Sequence, residues 1–164
     1  MSEAKATAAD LPILERRRIE AQILAHVYET LQASHGVDVA QQTVADAVKA
    51  SSIEQARAMA DAVGGNTSMQ TFVDRQSQWT MGGALEIEVK EQTDEVYRFD
   101  VKRCRYSEMY REMGLGEIGH LLSCQRDGTF CEGYDTRLKL TRTQTIMQGA
   151  THCDFSYRIE EPKD

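Results

Sequence analysis

All four cysteines of the chain, Cys104, Cys124, Cys131 and Cys153, fall in its last third. His120, Asp127, Asp154 and two arginines set in apolar patterns, Arg103 and Arg142, fall there too. His120 and Cys124 are four residues apart, so on a helix they project from one side, and Asp127 joins them if the helical turn persists. A thiol beside an imidazole, with a carboxylate orienting the ring, is the arrangement that forms a thiolate nucleophile. The same spacing also arises by coincidence on many helices. Cys104, Cys124, Cys153 and His120 also offer four ligands of the kind Zn prefers, but they are scattered through the whole final third. The expectation is a site without metal or cofactor, with Zn on Cys and His as the alternative. Cys131 sits between glycines and reads as incidental.

Arginine has a second use here. Alternate residues of a strand share a face, which places Arg103 on the face of Tyr97, Phe99 and Val101, and Arg142 on that of Leu138, Leu140 and Ile146. A guanidinium on an apolar face is costly to bury unless paired. Asp127 or Asp154 supplies an internal partner for Arg142, and a ligand carboxylate an external one. Arg103 also fits a strand end. Cys153 lies with Phe155 and Tyr157, where a buried structural cysteine is the default, and Asp154 points the other way.

The elements that must position these groups follow from period and punctuation. Residues 1–10 read as a flexible N-terminal arm, and residues 11–164 as one α+β domain with a helical part (11–79) and a sheet-and-site part (84–160). Ile23, Leu24, Val27, Tyr28 and Leu31 recur at helical spacing behind Pro12, and His35-Gly36 stops the run. The Arg16-Arg17-Arg18 run ahead of them reads as a solvated helix face. A second helix spans Asp38 to Ala50. Ser52 and Gln55 make a capping box for a third helix ending at Gly64-Gly65. Asn66 or Thr67 caps a short helix towards Trp79. After Gly83 the period becomes 2: Leu85, Ile87 and Val89 form one strand, Tyr97, Phe99 and Val101 its hairpin partner. A helix carrying Tyr106, Met109, Tyr110 and Met113 follows, and another runs from Gly116 to Cys124. Residues 125–136, with Gly128 and Gly133, read as a loop. Leu138 to Met147 and Cys153 to Ile159 read as a second hairpin, turning at Gln148-Gly149-Ala150. The architecture predicted is therefore N-terminal helices followed by an antiparallel sheet of two hairpins with intervening helices.

Composition limits the function classes. A chain of 164 residues is long enough to bury a core without staples. A net charge of -7 opposes non-specific nucleic-acid binding. No apolar run approaches the roughly 20 residues of a membrane span. Four cysteines, no tight C-x-x-C pair and no signal-peptide pattern point to the cytoplasm. The helical faces before Gly64 suit an ordinary core or a homo-oligomer interface.

Several phrases together resemble the L-2-amino-thiazoline-4-carboxylic acid hydrolase family: Arg103-Cys104-Arg105-Tyr106 with Glu108, Gly119 to Cys124 with Asp127, Arg142-Thr143 with Thr145, and Gly149 through Cys153-Asp154-Phe155. The resemblance covers roughly residues 80 to 160 and implies hydrolytic opening of a cyclic amidine, or a related cyclic amide, to a carbamoyl-cysteine. It implies Cys124 as nucleophile or as the group positioning a water, with Cys104 and Cys153 as secondary candidates. Asp127 or Asp154 would move protons. Arg142, with Arg103, would hold a substrate carboxylate, beside Tyr106, Thr143 and Thr145. His120, which the family pattern does not assign, would assist Cys124. The last strand also resembles the small-molecule-binding domains of the vinyl-reductase type, which implies a non-catalytic, sensory alternative.

Overall fold

The structure, a computed structural model, describes residues 10–161. All of the expected N-terminal arm except Asp10 lies outside the described residues. Two long helices, α1 (Ile13–His35) and α2 (Val37–Asp61), meet at Gly36, whose φ of 87° suits glycine. The buried stripe of α1 runs through Ile13, Arg17, Ala21 and Tyr28, with Leu24 and Leu31 packed against the core. Ile23 and Val27, expected inside, are exposed, Ile23 to 66%. The stripe is centred one position away from the one read in sequence, and it carries Arg17 inward, so that residue is not part of a solvated face.

The break expected at Ser52 is absent. Ala40, Val44, Val48, Ser52, Ala56 and Ala60 repeat every four residues along one continuous helix. The Ser52 hydroxyl caps nothing; it donates to the Arg126 carbonyl at 3.0 Å. The next helix start also shifts. Ser68 caps α3 (Met69–Val73) through a reciprocal box with Thr71, and a second short helix, α4 (Gln76–Thr80), carries Trp79.

Strands β1 (Leu85–Gln92) and β2 (Val96–Cys104) form the first hairpin, and β3 (Leu138–Thr141) and β4 (Cys153–Ile159) the second. The sheet is antiparallel in the order β1-β2-β4-β3. Helix α5 (Arg105–Glu112) follows β2 directly. A π-helical turn, His120–Cys124, leads into α6 (Gln125–Tyr134), so the segment read as a loop is a helix. Gly133 is there for close approach: a Cβ would lie 2.4 Å from the Ile53 carbonyl oxygen of α2.

The inner face of the sheet presents Tyr97, Phe99 and Val101 opposite Tyr157, Phe155 and Cys153. Phe72 stands 4.6 Å from the Tyr157 ring, and Trp79 meets Phe130 edge-on at 5.2 Å. Such pairs add about 0.5–1.5 kcal/mol each beyond their burial. Among the described residues no helix is long and apolar enough to cross a membrane.

Two departures from regular strands matter for the site. At the end of β2, Glu86 pairs with Arg103 and Ile87 with Val101, which leaves Lys102 as an extra residue. This bulge reverses the alternation: Arg103, expected on the inner face, points outward, and Cys104 goes in. The second is β3, which stops at Thr141 rather than Met147. Asp154 Oδ1 accepts from the Thr143 and Gln144 backbone N–H groups at 2.9 and 3.0 Å, withdrawing them from the ladder. A short 3-10 turn (Ile146–Gln148), capped by the Thr145 hydroxyl and closed by Gly149 at φ 101°, completes the connection.

Candidate functional site

A cavity of about 100 Å³ lies where the helices meet the inner face of the sheet. Its apolar side comes from Val101 of β2, Phe155 and Tyr157 of β4, and the aromatic cluster of Phe72, Trp79 and Phe130. Its polar side comes from the helices: Arg17 of α1, Ser52 and Gln55 of α2, and Ser123, Cys124, Arg126 and Asp127 from the π turn and α6. Arg142 enters from just beyond β3, and Cys104 and Cys153 from β2 and β4. The π turn feeds α6 without a break, so four polar groups within five residues all open on the same space; such turns recur at functional sites.

Asp127 and Arg142 form the central pair. Arg142 Nη1 donates to Asp127 Oδ2 at 2.6 Å, and Nη2 to the Cys124 carbonyl at 3.1 Å. The guanidinium also lies 4.9 Å from the centre of the Phe155 ring, which stacks in turn on Phe99. Asp127 lines the cavity, and 36% of its side chain is exposed. Burial pushes its pKa above the ordinary carboxylate value, and the attraction of Arg142 recovers only part of the shift. Burial acts to lower the Arg142 pKa, but Asp127 outweighs it and holds the guanidinium firmly charged.

The thiols are protonated groups. Burial pushes Cys124 and Cys104 upward, Cys131 to about 12 and Cys153 to about 11, and the charge of Asp127 adds to each rise. Cys153 Sγ accepts from the Ile146 N–H at 3.2 Å, a structural bond inside the connection. His120 is half-buried, makes no hydrogen bond to Cys124 and does not line the cavity. Among the described residues no three His, Cys, Asp or Glu side chains group closely enough to hold a metal ion.

Of the residues singled out in sequence, the fold therefore brings Cys104, Tyr106, Cys124, Asp127, Arg142 and Cys153 to one cavity. The Tyr106 hydroxyl donates to the Trp79 carbonyl at 2.9 Å and so ties α5 to α4. Five others lie outside it, His120 among them. Arg103 is exposed and chelates Glu108 at 2.8 and 3.1 Å, with Glu86 beside it. Thr143 and Asp154 hold each other on the outer side, and the Thr145 hydroxyl caps the 3-10 turn.

Arg17 and Arg126 are cavity residues that sequence reasoning passed over. Both are buried, 4% and 9% exposed. Arg17 Nη1 donates to both carboxylate oxygens of Glu20, at 2.9 and 2.8 Å, and Arg126 Nη2 donates to Glu20 Oε2 at 3.2 Å. Burial, with Arg17 alongside, brings the Arg126 pKa down to about 10. A signal existed for each. Arg17 interrupts the stripe Ile13–Ala21–Tyr28, and Arg126 interrupts the four-residue repeat Leu122–Phe130–Tyr134 once a helix is allowed to pass Gly128.

The fold recurs in distant proteins. The phenol-responsive sensory domain of the transcription activator PoxR, solved with phenol, matches 85% of this chain and 73% of its own at 14% identity and a TM-score of 0.51. Subunit 3 of a trafficking protein particle complex from Naegleria fowleri, solved covalently bound to palmitic acid, matches 90% of this chain and 96% of its own at 8% identity and a TM-score of 0.51. At such identities the likeness concerns the fold alone. No curated protein matches the chain by sequence. A sequence model of one family does, over residues 16–157, from the arginine run of α1 to Tyr157 of β4 and so across every wall of the cavity. The chain belongs to the L-2-amino-thiazoline-4-carboxylic acid hydrolase family.

Proposed function

We propose that the protein is a hydrolase that opens a small five-membered cyclic amidine in this cavity, with Asp127 as the group that moves protons. The observation that carries this reading is the Asp127–Arg142 pair. It is a carboxylate raised by burial, steadied by a guanidinium 2.6 Å away, and facing the space where a ligand would sit. Catalytic carboxylates are most useful when their pKa approaches the working pH, and burial beside one opposite charge moves them that way.

The nucleophile is a water rather than a sulfur. Among the described residues no imidazole is hydrogen-bonded to a cavity thiol, and burial, with the charge of Asp127, raises the Cys124 pKa and so favours the neutral thiol. Asp127 takes a proton from the water as its oxygen bonds to the amidine carbon, and passes that proton to the ring nitrogen as the carbon–nitrogen double bond becomes single. The carbon–sulfur bond then breaks, the carbonyl forms, and the proton of the new hydroxyl passes through Asp127 to the departing sulfur. One water is consumed, and a carbamoyl group and a free thiol appear. Cys124 lines the site as a neutral group. Arg142 keeps Asp127 aligned and ionisable.

The test is incubation with 2-aminothiazoline-4-carboxylate and related cyclic amidines, following the carbamoyl product by chromatography. Cys124→Ser, Cys104→Ser and Cys153→Ser are each expected to keep turnover within about tenfold, which is small beside the loss of a nucleophile or its base. Loss of all turnover in Cys124→Ser, with a protein-bound adduct trapped on the wild-type thiol, would overturn the water route. Tight binding without any product would make the protein a sensor instead.

A further inference from the structure

Helix α1 carries more apolar surface than its core contacts use. Its buried stripe, through Ile13, Arg17, Ala21 and Tyr28, packs against α2 and α5. Turned away from that stripe, Ile19, Ile23 and Val27 stand in solvent, 52%, 66% and 39% exposed. They recur at four-residue spacing and so form one ridge of the helix, not scattered single residues. Arg16 and Thr30 extend the same face at its two ends, each about two turns from Ile23. The Arg16 side chain makes no hydrogen bond or ion pair among the described residues. Glu29, next to Thr30, is 70% exposed, with His26 3.7 Å away. An apolar ridge with an unpaired cation at one end and an available carboxylate at the other is complementary to itself when a second copy runs the opposite way.

We propose that two copies of this chain associate through α1, packed antiparallel about a two-fold axis at Ile23. That axis sets Ile23 against the partner's Ile23, Ile19 beside the partner's Val27, and Arg16 beside the partner's Thr30 and Glu29. A parallel pair would bring the two Arg16 charges together with no carboxylate to offset them. Other occupants fit less well. The nine residues before Asp10 contain one large apolar side chain, Met1, which is little to cover three. Glu15, Glu20 and Glu29 flank the ridge and the chain carries a net charge of -7, which opposes the anionic surface of a bilayer. The face from Arg16 to Thr30 is about 21 Å long and about 10 Å wide. Its outline of roughly 200 Å² falls below the roughly 800 Å² per partner of a standard interface. The dimer is therefore reversible, with a dissociation constant of roughly 10–100 μM. The other flank of α1 carries Arg17 to the cavity, so this contact backs one wall of the site.

The experiment is sedimentation equilibrium of the full-length protein from about 5 to about 500 μM, a range in which the mass should climb from one chain towards two. A mass of one chain throughout overturns the proposal, and binding of that monomer to phosphatidylcholine vesicles would give the ridge to a membrane instead. Ile23→Glu places two carboxylates on the axis at a site too exposed to disturb the fold, and is expected to weaken association by at least about a hundredfold. A dimer that survives Ile23→Glu uses another face and also overturns the proposal. Orientation is read by oxidative cross-linking, with the native thiols buried or half-buried. Ile23→Cys is expected to cross-link to itself, and Ile19→Cys to Val27→Cys when the two proteins are mixed. Ile19→Cys cross-linking to itself would mean a parallel pair and overturn the antiparallel one. Arg16→Glu is expected to weaken the dimer by about three- to tenfold, and Glu29→Arg in the same chain to restore it. Failure of that restoration overturns the assigned charge pairing.

Discussion

Asp127 and Arg142 meet one to one at the cavity, whereas Arg17 and Arg126 divide Glu20 between them. The first pair is complete without a ligand. Each charge satisfies the other, and the carboxylate's raised proton affinity is available for chemistry. The second group is incomplete: one carboxylate serves two guanidinium groups, and Arg126 Nη1 is buried without a hydrogen-bond partner. The two clusters therefore differ in balance, the first neutral in itself and the second carrying a surplus positive charge.

That contrast can be broken at its strongest point by Asp127→Asn. Loss of the proton-transfer group is expected to lower kcat for ring opening by about 10²- to 10⁴-fold, with far-UV circular dichroism unchanged. Next comes the pH dependence. Because Asp127 in the folded chain lies above its ordinary value of 3.8, the rising limb of kcat/KM should fall at a pH higher than that of a free carboxylate. Arg142→Gln removes the charge that restrains the shift, so the limb should move to still higher pH. The same variant should lower stability in urea by roughly 1–3 kcal/mol, less than for a fully enclosed pair because a third of the Asp127 side chain is open.

The linkage has opposite signs at two aspartates. Asp127 is raised, so its contribution to stability is fully present below 3.8 and declines as pH climbs through the raised value; Asp127→Asn should remove that decline from the urea midpoint. Asp154 is lowered because the hydrogen bonds from Thr143 and Gln144 outweigh its desolvation. Its contribution is therefore present above 3.8 and disappears as pH falls through the lowered value. Asp154→Ala should cost roughly 1–2 kcal/mol at pH 7, with the difference from wild type shrinking in acid. The smallest effect is expected from Arg103→Ala, within about 0.5 kcal/mol in stability and without change in turnover, because its partners Glu86 and Glu108 are exposed.

The class of fold, and the convergence of several singled-out residues on one cavity, could be read from residue pattern because both depend on period. The two hairpins, the inward aromatics of β2 and β4, and the nearness of Cys124 to Asp127 all follow from spacings of two, three or four. What could not be read depends on contacts between segments distant in sequence. Gly128 and Gly133 looked like breakers, yet Gly133 is a contact surface for α2, and accepting that contact restores α6 and brings Arg126 inside. Ser52 looked like a cap until its hydroxyl found the Arg126 carbonyl. Arg103 was misplaced for a different reason. A one-residue slip in strand pairing leaves no trace in composition, and Lys102 is an unremarkable residue for a strand.

That slip decides which residues β2 sends inward. The side chain of Lys102 is exposed and takes no part in the cavity. Many side chains would serve at Lys102, and removing the residue would keep Val101 and Cys104 inward and Arg103 outward, because Ile87–Val101 and Glu86–Arg103 are already consecutive pairs on β1. A regular strand that kept Lys102 would instead turn the Cys104 thiol to solvent and Arg103 towards the cavity. The wall of the site thus depends on the bulge absorbing one residue and not on which residue that is, a matter of parity that per-residue measures of importance would pass over.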